Sequence, residues 1–173
     1  LALSEHFLKK YPQVKATEID VAERAWERME FAGQPHPHAF LGDSSSRRFA
    51  RVTGDKDSQI VQSGVRDLII LKSTGSGFEK YPRDEFTTLP ETADRILATS
   101  FSATWTFKTW PKDVRVSNDA ILAVMLKTFA EDFSPSAQTS LFQMGEAALD
   151  VCPEISRLDM AMRGVDFVIH AAA

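Results

Sequence analysis

The run TSFSATWTFK, residues 99 to 108, constrains the fold of this chain more than any other stretch. Phe101, Ala103, Trp105 and Phe107 alternate with Ser102, Thr104, Thr106 and Lys108. A period of two puts the apolar set on one side of an extended backbone, whereas a helix would scatter it around its circumference. The run therefore predicts a strand with one buried and one polar face. Two helical patterns follow. NDAILAVMLKTFAEDF places Ile121, Leu122, Met125, Leu126 and Phe129 on one face, with Asn118 as expected N-cap. SPSAQTSLFQMGEAALDV opens on Ser136 as a second N-cap and turns Leu141, Met144 and Ala148 inward.

Upstream, ATEIDVAER, RRFARVT and QIVQSGVRDLIILKST read as strands, with Gly64 expected to form a bulge. SRLDMAM, after the helices, reads as another. GQPHPHAFLGDSSS reads as loop from its Pro, Gly and Ser content. LALSEHFLKKY is an amphipathic helix with Leu3, Phe7, Leu8 and Tyr11 on one face. Because the chain opens on Leu1 inside that helix, it is expected to be a piece of a longer protein. Strands grouped apart from a helix pair, rather than alternating with helices, predict an α+β fold with an antiparallel sheet.

Charge narrows the function classes. A net charge of -4 over 173 residues leaves no basic surplus for nucleic acid. No apolar run approaches membrane-spanning length. The single Cys152 rules out an internal disulfide and fits a reducing compartment.

Most of the polar signals have plain explanations. His36-Pro-His38 lacks the further ligands a metal site needs, so no metal is expected. Gly75-Ser76-Gly77 opens no helix and reads as a turn. Cys152 has no neighbouring base and reads as packing, while the charges of EKYPRDE read as solvated loop. Three residues stand apart. Phe78 sits in a Gly-flanked loop, Arg95 directly precedes the apolar start of the strongest strand, and Gln138 lies in the first turn after the Ser136 cap. A stacking ring, a forked donor, an amide and unpaired helix-start N–H groups would suit a flat anionic heterocycle.

The segments carrying these residues also carry a resemblance. LKSTGSGFEKYPRDEFTTLPETADRILATSFSATW is similar to the signature segment of the urate oxidase (uricase) family, and LKTFAEDFSPSAQTSLFQMGEAAL resembles its second motif. AWERM and GVRDLIILKSTGS agree as well, and the resemblance runs from about residue 1 to 162. It implies a tunnelling fold (T-fold) built from tandem repeats of an antiparallel sheet with a helix pair, here incomplete. Residues 1–57 would end the first repeat and 58–173 would form the second. It further implies cofactor-independent oxidation of urate by O2 to 5-hydroxyisourate and hydrogen peroxide in purine degradation. The assembly would be a homotetramer with active sites at subunit interfaces, cytoplasmic in a bacterium or peroxisomal in a eukaryote. By motif position Phe78 would stack on the purine, Arg95 and Gln138 would grip opposite edges, Ala137 would offer its N–H, and Leu89 would line the pocket. The alternatives are a non-catalytic uricase-like remnant or another T-fold protein binding a purine or pteridine.

The chain departs from the family pattern in two places. The proton-handling Lys and Thr of the family have no counterpart in residues 1–57, so the catalytic residues are left unassigned. In the tail, residues 163–173, Gly164 and Asp166 stand where the family's Asn and His are expected, and His170 is out of register.

Overall fold

The structure is a computed structural model that describes residues 1–42 and 46–164. The elements are α1 (Ala2–Lys10), β1 (Thr17–Ala22), β2 (Trp26–Phe31), β3 (Gln34–Gly42), β4 (Arg47–Gly54) and β5 (Gln59–Lys72), then β6 (Leu97–Phe107), α2 (Val114–Glu131), α3 (Ala137–Val151) and β7 (Ile155–Gly164). Five strands form one sheet in the order β1-β4-β5-β6-β7, and β2 with β3 forms a separate ribbon. β1 runs antiparallel to β4, and β4 to β5. This is the α+β architecture that the grouping of strands and helices predicted. The chain divides into two compact units.

The first unit comprises residues 1–68, 102–110 and 155–159. Phe49, Val52, Val61, Val65, Ala103 and Trp105 are buried within it, together with Leu8 of α1. Helix α1 forms as expected but presents a different face. Ser4 and Leu8 are buried and the Ser4 hydroxyl meets that of Thr17 at 2.6 Å, whereas Leu3 and Phe7 are exposed. The small hydroxyl lets the helix approach β1 more closely than the larger apolar side chains would.

Two further elements differ from expectation. The stretch expected as loop is mostly strand: Gln34–Gly42 pairs with Trp26–Phe31 through a two-residue turn, Ala32 at φ 51° and Gly33 at φ 75°. Positive φ at both turn residues matches the twist of the flanking strands. Pro35 and Pro37 are tolerated because a two-stranded ribbon is all edge, and Arg28 donates to the carbonyls of His36 and Pro37 at 2.9 and 2.8 Å. Residues 43–45 of that stretch lie outside the described ones. Nor does Gly64 form a bulge against β4, where the pairing runs unbroken from Arg47↔Arg66 to Gly54↔Gln59. Gly64 is there for close approach: a Cβ would stand 2.1 Å from the Ala103 carbonyl oxygen and 2.6 Å from the Phe49 ring.

The second unit comprises residues 69–101, 111–154 and, among those described, 160–164. Its core is Leu97 and Phe101 of β6, Ile121, Leu122, Met125 and Phe129 of α2, and Met144, Ala148 and Cys152 from α3 and its C-cap. Along β6 burial alternates strictly from Leu97 to Trp105, as the sequence required. Helix α3 starts where expected, the Ser136 hydroxyl accepting from the Thr139 N–H at 3.0 Å. Helix α2 starts earlier than expected. Its cap is Asp113, whose carboxylate accepts from the N–H groups of Arg115 and Val116 at 2.9 and 3.1 Å. A carboxylate at the positive end of a helix is a strong cap, and Val114 and Val116 cost the first turn only tenths of a kcal/mol. Asn118 therefore lies inside the helix. The tail beyond Gly164, including His170, lies outside the described residues.

Candidate functional site

All five residues singled out for a ligand lie in the second unit, on two segments: the excursion between β5 and β6, and the start of α3. The excursion is tied down by backbone bonds rather than by a long sheet. Gly75 takes a φ of 75° that a residue with a side chain adopts only at a cost. The turn it makes brings Ser76 and Gly77 alongside Ser134: the Gly77 N–H donates to the Ser134 carbonyl, and the Ser134 N–H to that of Gly75, both at 2.9 Å. Next, Phe78 exchanges N–H···O bonds with Thr92 at 2.8 and 3.0 Å, and the Arg95 N–H donates to the Ser76 carbonyl at 2.7 Å. Phe78 and Arg95, 17 positions apart in the sequence (95 - 78), are thereby set side by side.

Their side chains meet. The Arg95 guanidinium carbon lies over the Phe78 ring at 4.9 Å from its centroid. Both residues are half-buried, and the Arg95 Nε is fully shielded from solvent with no hydrogen-bond partner among the described residues. Tyr81, which no sequence motif marks as a site residue, stacks on Phe78 with centroids 4.3 Å apart and planes 22° apart. Its hydroxyl donates to the carbonyl of Leu89. Leu89 itself is exposed, at 66% of its surface.

Ser134, which anchors the turn, leads within two residues to the α3 cap. The Ser140 hydroxyl bonds that of Ser134 at 2.6 Å, and both are buried. Thr139 N–H is taken by the Ser136 hydroxyl and Ser140 N–H by its carbonyl. The N–H groups of Ala137 and Gln138 precede the first intrahelical acceptor, so they are available at the positive end of the helix dipole. Gln138 is exposed and Ala137 half-buried. Lys72 steadies the approach to this region. Its buried ammonium donates to the Asp132 carbonyl at 2.7 Å and lies 5.3 Å from the Phe129 ring centroid. Burial pushes the pKa of that ammonium down, against the attraction of Asp132.

Asp94, given no role from the sequence, directly precedes Arg95. Its carboxylate accepts from the Thr74 hydroxyl at 2.6 Å, the Gly75 N–H at 2.8 Å and the Ser76 N–H at 3.4 Å. The Thr74 bond holds its carboxyl below the ordinary value, with help from the N–H groups of Ser76, Gly75 and Arg95 and against the effect of burial. Of the signals read as structural, Cys152 is buried and Gly75–Gly77 form a turn. His36 and His38 lie on β3, where the His38 N–H donates to Nδ1 of His36 at 3.2 Å. No metal-ligating group of three or more side chains exists among the described residues, and no helix among them is long and apolar enough to cross a membrane.

An antiparallel five-stranded sheet with a helix pair, carrying an aromatic–guanidinium pair beside a Ser-capped helix start, marks an α+β protein of the tunnelling-fold class, incomplete in this chain. The family model described as Uricase matches residues 1–53 and 61–167, and the chain belongs to the uricase family. The chain is 40% identical to the uricase of Aspergillus flavus over 157 residues, which cover 85% of this chain and 52% of that protein. It is 35% identical to the uricase of Arthrobacter globiformis over 162 residues, 94% of this chain and 52% of that one. The crystal structure of the Arthrobacter globiformis uricase superposes with a TM-score of 0.82 over 93% of this chain and 55% of that chain. A urate oxidase structure from Bacillus sp. TB-90, 22% identical with a TM-score of 0.73, shares the fold. The chain thus spans about half the length of the curated relatives it matches.

Proposed function

We propose that the protein carrying this chain is a urate oxidase and that the excursion between β5 and β6, with the start of α3, forms its substrate-gripping wall. The observation that carries the reading is the pair Phe78 and Arg95. A shielded N–H left unpaired costs about 1–3 kcal/mol. The Arg95 Nε is such a donor, on a guanidinium already held over an aromatic ring. A planar anion with acceptors along its edge would take up that donor in a forked, charge-assisted contact and lay its face on the ring. Urate is such an anion. Gln138 would donate to and accept from the opposite edge, Ala137 would offer its N–H, and Leu89 would close the pocket.

The chemistry asked of this wall is positioning and electrostatics. Deprotonated urate is electron-rich enough to reduce O2 directly, so the reading needs no metal or flavin. Two electrons pass from urate to O2, whose oxygens leave as hydrogen peroxide, and by atom balance water supplies the added oxygen of 5-hydroxyisourate. Proton handling falls to the Lys–Thr pair that the family resemblance implies, for which residues 1–57 offer no counterpart. The same reading takes residues 1–57 and 58–173 as parts of successive T-fold repeats in a homotetramer with interface sites. It would be cytoplasmic in a bacterium and peroxisomal in a eukaryote.

The test is Arg95→Ala in the full-length protein, followed by loss of urate absorbance and appearance of peroxide. Hydrogen bonds to a charged group contribute about 1.5–3 kcal/mol, so kcat/KM should fall about 10- to 150-fold. KM should rise and kcat fall together, because the fork both anchors and orients the anion. An unchanged kcat/KM refutes the assignment.

A further inference from the structure

We propose that Asp94 is the positioning residue of this site: its carboxylate clasps the Thr74–Ser76 turn and so fixes the spacing between Phe78 and Arg95. The inference rests on the reading of Phe78 and Arg95 as the substrate grip, and names the residue through which the fold sets that grip.

Phe78 and Arg95 belong to two segments with no strand ladder between them beyond the Phe78–Thr92 bridge. Something else must hold the turn at the base of Phe78 against the residue before Arg95. Asp94 does so from the side. Thr74 Oγ1 donates to one of its carboxylate oxygens, and the Gly75 and Ser76 N–H groups donate to the other. Arg95 N–H returns the contact by donating to the Ser76 carbonyl at 2.7 Å. The Asp94 carbonyl accepts from the Thr92 hydroxyl at 2.8 Å, which locks the segment leading into Arg95. Both walls therefore converge on one side chain.

A carboxylate suits this place for a physical reason. The Gly75 turn exposes successive backbone N–H groups to one point, and only an acceptor-only side chain satisfies several of them together with a hydroxyl. Charge-assisted bonds are also shorter and stiffer than neutral ones. An error of about 1 Å in a positioned group can cost about a hundredfold in rate, so a stiff clasp next to the gripping Arg has a functional consequence beyond stability. Asp94 makes no contact with the ligand in this account. It acts through Arg95 and Phe78.

The experiment is a double-mutant cycle in the full-length enzyme. Asp94→Ala, Arg95→Ala and the double variant are compared by steady-state urate oxidation and thermal melting, with Asp94→Asn and Thr74→Val alongside. Asp94→Ala should raise the urate KM about tenfold, and in the Arg95→Ala background it should add less than about twofold, because residues acting as one unit are non-additive. Asp94→Asn keeps one acceptor oxygen and should recover part of the KM. Thr74→Val removes a single donor and should raise KM about two- to threefold, in the range of one neutral hydrogen bond. If Asp94→Ala does not fold, Thr74→Val carries the test: a wild-type KM in that variant overturns the proposal. It is also overturned if Asp94→Ala leaves KM within about twofold of wild type, or loses as much with Arg95 absent as with it present. If Arg95→Ala itself is silent, the grip reading fails. If Arg95→Ala is impaired while Asp94→Ala matches wild type, only the clasp fails.

Discussion

Gly64→Ala offers a sharp test of the packing argument, because the structure gives the size of the clash. Gly64 faces Phe49 across the β4–β5 ladder, and Phe49 is buried with the Arg66 guanidinium 3.7 Å from its ring centroid. The ring is thus held between a guanidinium and a bare stretch of backbone. An added methyl would lie 2.6 Å from one ring carbon and 2.1 Å from the Ala103 carbonyl oxygen. The ring could tilt, but the carbonyl belongs to β6 backbone and yields only if the strand shifts. Overpacking in a core costs about 1–3 kcal/mol, and a backbone obstacle places this site near 3. For a chain of this size each kcal/mol lowers Tm by about 2–4 °C, so a fall of about 6–12 °C is expected. Thermal melting by circular dichroism measures it, with two other glycines as internal controls. At Gly75 the space is open but φ is 75°, so alanine there should cost about 1–2 kcal/mol from the backbone alone. At Gly164 the space is open and no positive φ intervenes, so alanine should be neutral to slightly stabilising. If Gly64→Ala melts within about 1 °C of wild type, or the order of the three is inverted, the close-approach reading is wrong.

Three other outcomes are expected. Ser136→Ala removes the cap of α3 and should cost about 1 kcal/mol, read as a small drop in urea midpoint with an unchanged slope. Asp94 has a depressed folded-state pKa, so its contribution to stability is complete above the ordinary carboxylate value and is lost as pH falls through that value towards the folded one. A series of melts at decreasing pH should therefore show a shallower acid loss for Asp94→Asn than for wild type, and parallel curves would contradict the sign. Finally, the 173-residue chain alone should leave urate absorbance unchanged, since the proton-handling pair implied by the family has no counterpart in residues 1–57. Peroxide formed by the purified chain with urate would overturn that expectation.

How much of this was legible beforehand depended on whether the cause lay within a few residues of the effect. The alternation from Leu97 to Trp105 determines β6 and its buried face because side-chain direction in a strand follows from the backbone alone. Ser136 determines the start of α3 in the same local way, and Phe78, Arg95 and Gln138 stood out because their motifs are short and contiguous. The start of α2 was missed although its cap is local: Asn118 matched the apolar rhythm, but Asp113 bonds two N–H groups. The β2–β3 ribbon was hidden because Pro35 and Pro37 argue for loop by composition, and only the pairing partner turns them into edge-strand residues. Gly64 gave no hint of Ala103, 39 positions away (103 - 64), since that approach exists only once β5 lies beside β6. Likewise the sequence sets Asp94 next to Arg95, but that its carboxylate reaches back to Thr74 was decided by the turn at Gly75, a tertiary closure across 20 residues.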